Sequence, residues 1–176
     1  MLTPTAAGGF RRLVSSRHFR LWLGVFVWIG VIGAVSSPVR LPTGNESETS
    51  VALLLQTIAT SQTIFATSCG NGGYATSIDQ LTTPPPGSSD AFFDRTGLDR
   101  LARYYAVTLF ASPNAGAPTD CRGHPTAIVF TATAVPKVFG EIARHSFALD
   151  RQGTIWYSES PIAPTEPFDK NARRLN

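Results

Sequence analysis

The sequence predicts an α+β fold: an N-terminal membrane helix, then an amphipathic helix packed on a three- to four-stranded antiparallel sheet. Three observations predict it. Residues 19–39 (FRLWLGVFVWIGVIGAVSSPV) hold an uninterrupted apolar run from Leu21 to Val35. From Ser50, apolar residues recur at helical spacing. Beyond Tyr104 the chain breaks into short β-branched and aromatic segments separated by Gly, Pro, Asn and Asp.

The first element follows from length. A spanning helix needs about 20 mostly apolar residues, and 19–39 reaches that. Residues 1–40 carry five Arg (Arg11, Arg12, Arg17, Arg20, Arg40) and no acid. The rest of the chain has ten Lys and Arg against twelve Asp and Glu, a net charge of −2. The basic pI near 9.2 therefore belongs to the membrane flank, and a nucleic-acid binder would instead put its basic residues on the folded domain. Positive charge ahead of the apolar run keeps that end in the cytoplasm. The expected layout is a basic cytoplasmic segment 1–18, a transmembrane helix 19–39, a linker 40–49, an extracytoplasmic domain 50–160 and a flexible tail 161–176. The same run also fits the apolar core of a signal peptide, with Ala34-Val35-Ser36 supplying small residues for cleavage before Ser37. That alternative gives a secreted or periplasmic binding module.

The amphipathic helix should start at Ser50, a good N-cap, with Val51, Leu54, Leu55, Ile58, Ile64 and Phe65 on its apolar stripe. Gly70-Asn71-Gly72-Gly73 ends it, because these residues adopt positive φ at little cost. Ser77 can cap a turn over Ile78 to Leu81, and Leu98 to Arg103 can form another. The strands are expected at 104–111, 127–135, 144–149 and 154–158. Asp150-Arg151-Gln152-Gly153 joins the last two as a tight hairpin. Connections this short require antiparallel pairing.

Cys69 and Cys121 form a possible disulfide in an oxidising compartment; in a reducing one they are two separate thiols. His18, His124 and His145 are scattered, and none has a second ligand at metal spacing. Asp90, Asp94 and Asp99 could line a cation site, but the interleaved Arg95, Arg100 and Arg103 read as ion-pair partners. No nucleophile elbow, phosphate loop or paired-carboxylate motif is present, so no catalytic, cofactor or metal residue is assigned. An extracytoplasmic enzyme would need a pocket gathering His124 or His145 with two acids.

Several short stretches resemble type IV pilins and type II secretion pseudopilins. Asn45-Glu46-Ser47-Glu48 followed by Leu54-Leu55-Gln56-Thr57-Ile58 is similar to the middle of the long pilin helix. Phe65 to Ala75 (FATSCGNGGYA) resembles that helix's end and the GNGGYA turn, and Ser77 to Leu81 resembles the short turn after it. Arg144 to Tyr157 resembles the closing hairpin. Pilins carry a peptidase signal ending in Gly-Phe, then an apolar run containing a Glu. Here Gly9-Phe10 is followed by Arg11-Arg12, and no acid lies between Leu21 and Val39. The resemblance implies a non-enzymatic structural or interaction protein of the bacterial envelope, single-pass in the inner membrane, with a periplasmic or extracellular domain. Its implied partners are the lipid bilayer, through 19–39, and other pilin-like subunits or secretion-system components.

Overall fold

The computed structural model describes residues 46–175. The basic segment, the apolar segment 19–39, His18 and the linker as far as Asn45 lie outside the described residues. Among those described, no helix is long and apolar enough to cross a membrane.

Helix α1 spans Glu46–Ser68. Two short helices follow, α2 at Ile78–Thr82 and α3 at Thr96–Leu101. The sheet contains β1 (Tyr105–Phe110), β2 (Thr131–Pro136), β3 (Ser146–Leu149), β4 (Ile155–Ser158) and β5 (Arg173–Arg174). Its order is β1-β2-β3-β4-β5, every neighbour antiparallel. The chain is thus α+β: a helix on a five-stranded meander.

Register places two rows of side chains under α1. One row is Val107, Ala134, Phe147 and Tyr157; the next is Leu109, Ala132, Leu149 and Ile155. Val51, Leu55, Ile58 and Phe65 on α1 are fully buried against this core. The alanines on β2 leave room for the helix backbone to come close, where larger residues would hold it off. α1 packs across β2, β3 and β4. Its first turn meets the residues just ahead of β3, and the loop that follows its last turn meets Ala127, ahead of β2. Over β3 and β4 the other face of the sheet is covered by the tail, while β1 leaves Ala106, Thr108 and Phe110 exposed. Trp156 stacks on Phe168 with ring centroids 4.3 Å apart, and Ala163 is buried. β3 is consequently buried on both faces.

Four expectations are corrected in detail. α1 already includes Glu46–Thr49, ahead of Ser50, and the Ser50 hydroxyl donates to the Glu46 carbonyl within the helix rather than capping it. β2 starts at Thr131 rather than Ala127, because Ala127 exchanges both backbone hydrogen bonds with Tyr74 in the Gly-rich loop. β3 starts at Ser146 rather than Arg144, because the N–H groups of Arg144 and His145 donate to the Glu48 carboxylate. The segment expected to be a loose tail contributes β5. Arg173 and Arg174 pair with Tyr157 and Trp156, and Leu175 N–H donates to the Ile155 carbonyl.

Candidate functional site

Two polar centres stand at opposite ends of α1. The first gathers the Gly-rich loop, α2 and residues 118–127. Gly70 N–H bonds back to Phe65 O and Gly72 N–H to Ala66 O, closing the helix, while Asn71 and Gly72 take positive φ. A Cβ on Gly70 would collide with the Gly73 carbonyl, and one on Gly73 with the Thr126 side chain. The loop is therefore glycine-rich for close approach as well as for turning. Gln62, fully buried on α1, holds it in place: its amide accepts from Ala75 N–H and donates to Ala75 O. Cys69 and Cys121 stand at bonding distance, Sγ–Sγ 2.01 Å with Cα atoms 4.8 Å apart. Cys121 N–H also donates to Cys69 O.

Asp120, beside this bridge, has a fully buried carboxylate. It accepts from Arg122 N–H, His124 N–H and the Gln80 side-chain amide, each at 2.8 Å. Arg122 lies 3.5 Å away and spends its guanidinium on the carbonyls of Thr83 and Gln80. Burial pushes the Asp120 carboxyl up. The bonds from Gln80, His124 and Arg122, with the Arg122 charge, outweigh it and hold the pKa down at about 2. This is a structural knot: both carboxylate oxygens are committed to the surrounding chain.

The second centre is a clasp between the first turn of α1 and the head of β3. Glu48 is 2% exposed. Its carboxylate takes Arg144 N–H at 2.7 Å and His145 N–H at 3.2 Å, and stands 3.0 Å from His145 Nδ1. Tyr105 donates its hydroxyl to the His145 carbonyl at 3.1 Å. Burial, and then the charge of Glu48, raise the Tyr105 phenol well above its ordinary range, so it remains a donor. A buried carboxylate with this many donors is stable; stripped of them it would be costly.

His145 also lines a polar cleft of about 690 Å³ between the β3–β4 end and the tail, together with Glu159, Asp169, Lys170 and Arg173. His145 and two acids, Glu159 and Asp169, thus line one cleft. Asp169 is already engaged, accepting from Asn171 N–H and Ala172 N–H. Among the described residues no serine or threonine hydroxyl is hydrogen-bonded to His145. The cleft therefore presents charge without a nucleophile held against a base.

The other candidates are not brought together. His124 is exposed and lies 3.4 Å from Asp120. Asp94 caps Thr96 through its backbone N–H and hydroxyl, and these bonds, the backbone one first, lower its pKa. Asp99 lies 3.6 Å from Arg95, which also pairs with Asp79 at 2.6 Å. Among the described residues no group of three His, Cys, Asp or Glu could hold a metal. Sequence reasoning missed Glu48, Tyr105 and Asp120. For the first two no local signal exists, since Glu48 meets a partner 97 positions away. Asp120-Cys121-Arg122-Gly123-His124 does carry one: an Asp two and four residues before its N–H donors, with a Gly at positive φ between them.

No family model matches the chain, and no curated protein or solved structure matches it.

Proposed function

We propose that this chain is a membrane-anchored, non-enzymatic structural or interaction protein of the bacterial envelope, of the pilin and pseudopilin kind. The observation that carries this reading is α1. It is 23 residues long and follows closely on the apolar segment ending at Val39. After Glu48 it has no charged residue. One stripe feeds the domain core, and the other presents Leu53 and Ile64, 48% and 46% exposed. Between and beside them, the exposed Thr57, Thr60, Thr63 and Thr67 donate their hydroxyls to carbonyls one turn back, so these donors are spent within the helix. An uncharged outer stripe suits a helix that also packs against neighbouring subunits.

Further support comes from the basic N-terminal flank, which favours that end inside and the domain in the periplasm or exterior. The cysteine pair at bonding distance is in keeping with an oxidising compartment. The partners of this reading are the bilayer and other pilin-like subunits or secretion-system components. It calls for no cofactor.

The test is the N-terminal mass of the protein recovered from membranes of its host. An intact chain starting at Met1 is expected. A terminus at Ser37 in the soluble fraction would overturn the anchor and leave a released periplasmic or secreted module.

A further inference from the structure

Charge is unevenly spread over the domain. Residues 100–104, where α3 gives way to β1, and residues 137–144, between β2 and β3, meet around the first turn of α1. Arg100, Tyr104 and Ile142 line one depression with Glu46 and Ser50. Lys137 N–H donates to Tyr104 O, and Arg144 N–H to the Glu48 carboxylate. The two segments carry four bases, Arg100, Arg103, Lys137 and Arg144, against one acid, Glu141, and all five residues are exposed. Glu46, at the start of α1, is a second exposed acid. Among the described residues none of the four bases forms an ion pair. Asp99, next in sequence to Arg100, is turned to Arg95 at 3.6 Å. Away from this end, Arg95, Arg122 and Arg151 each face a carboxylate.

Exposed apolar side chains gather at the same end. Tyr104, Val138 and Phe139 are 37%, 42% and 36% exposed, and Ile162, at 72%, lines the cleft beside His145. The Arg103 guanidinium lies over the Tyr104 ring, 5.3 Å from its centroid. Apolar and aromatic tips set among arginine and lysine match the layered chemistry of a bilayer surface: the tips enter the acyl boundary while the bases meet headgroup phosphates. The covalent path also bears on this end. Six residues, 40–45, join Val39 to Glu46, and fully extended that path spans about 25 Å. Arg40 adds a further base to it.

We propose that this end of the domain docks on an anionic lipid surface, with Arg100, Arg103, Lys137 and Arg144 on lipid phosphates and Tyr104, Val138 and Phe139 in the headgroup layer. A second copy of the chain suits the patch less well. A two-fold contact would set the same bases against one another, with only Glu46 and Glu141 to answer them. An anionic leaflet answers all four at once, and its attraction falls off within a Debye length, so it acts only on residues held near the surface. The proposal rests on the anchored reading above, since the anchor is what keeps the patch within that range. Docking adds orientation to attachment: it lays the head of α1 on the bilayer and turns the end with the cysteine link away from it.

The experiment uses the full-length chain in lipid nanodiscs, one set of phosphatidylcholine alone and one of equal parts phosphatidylcholine and phosphatidylglycerol, read by amide hydrogen exchange. Retention of the chain in both sets reports on the anchor, and protection reports on the docking. Peptides covering 100–104 and 137–144 are expected to exchange several-fold more slowly in the anionic discs, with no change over 69–76 at the far end of α1. Each base is worth about fivefold in docking, so Arg103→Glu/Lys137→Glu should abolish the protection, as should high salt. Both residues are exposed, so the variant should keep the wild-type melting temperature. Equal exchange in the two sets, with the chain retained in both, would overturn the docking and leave the anchor standing. So would protection that survives the double substitution, or protection that follows protein concentration instead of lipid charge, which is the mark of contact between copies. A chain retained in neither set would overturn the anchor and the docking together.

Discussion

Asp120 shows how one side chain can make a loop pH-sensitive. Its carboxyl titrates at about 2 in the folded chain, below the ordinary 3.8, so the folded state binds the proton less tightly than the unfolded one. The stabilisation is therefore complete above about pH 4 and is lost as pH falls through about 2. Its size is on the order of 2 kcal/mol for a fully buried group. Urea melts at pH 6, 4 and 2.5 should show the loss, and Asp120→Asn should start less stable and lack most of that acid slope. A variant with an unchanged slope would mean that another carboxylate drives acid unfolding. Glu48 differs in kind: its partners are spread between α1 and β3, so it fixes where two elements meet rather than how one loop turns.

At the scale of elements, the Gly-rich end of α1 is the most heavily tied part of the domain. The Cys69–Cys121 link, the Gln62 amide and the Tyr74–Ala127 bridge all converge there. Opening a link with a sequence separation of 52 frees a long loop in the unfolded chain, which should lower stability by about 4 kcal/mol in the loop-entropy picture. Thermal melts with and without reductant, compared with a Cys69→Ser/Cys121→Ser variant, would measure it. No change in Tm on reduction would show that the rest of the knot suffices. Much of this region could be read in advance. Gly70 to Gly73 announced the helix end, and Asp150 to Gly153 the hairpin, because turn residues act through their own backbone. The strand starts were hidden for the opposite reason. Ala127, Arg144 and His145 all have strand-forming company in sequence, but distant residues, Tyr74 and Glu48, claim their backbone groups first.

Over the whole molecule, the α+β class was legible from period alone, whereas the fifth strand was not. Arg173 and Arg174 carry no strand signal, and pairing with β4 places them. Such an edge should contribute little. Deleting residues 172–176 is expected to cost about 1–2 kcal/mol in a urea melt, since few backbone bonds, two exposed arginines and the half-buried Leu175 go with it. A loss of several kcal/mol would mean that the end of the chain is part of the core. The candidate sites were the least legible part. Both polar centres depend on contacts between segments 40 to 97 positions apart, and spacing along the chain does not encode such meetings.

The Glu48 clasp has a mechanical consequence. A pull on the chain from the N-terminal side enters the domain at the first turn of α1, and the bonds to Arg144 and His145 lie at that entry point. Because α1 packs across β2, β3 and β4, such a load drags the helix over the sheet. The side chains of Val51, Leu55, Ile58 and Phe65 then resist together instead of giving way one by one. The far end of the helix carries the cysteine link, so a domain pulled this way would loosen at its head before its knot.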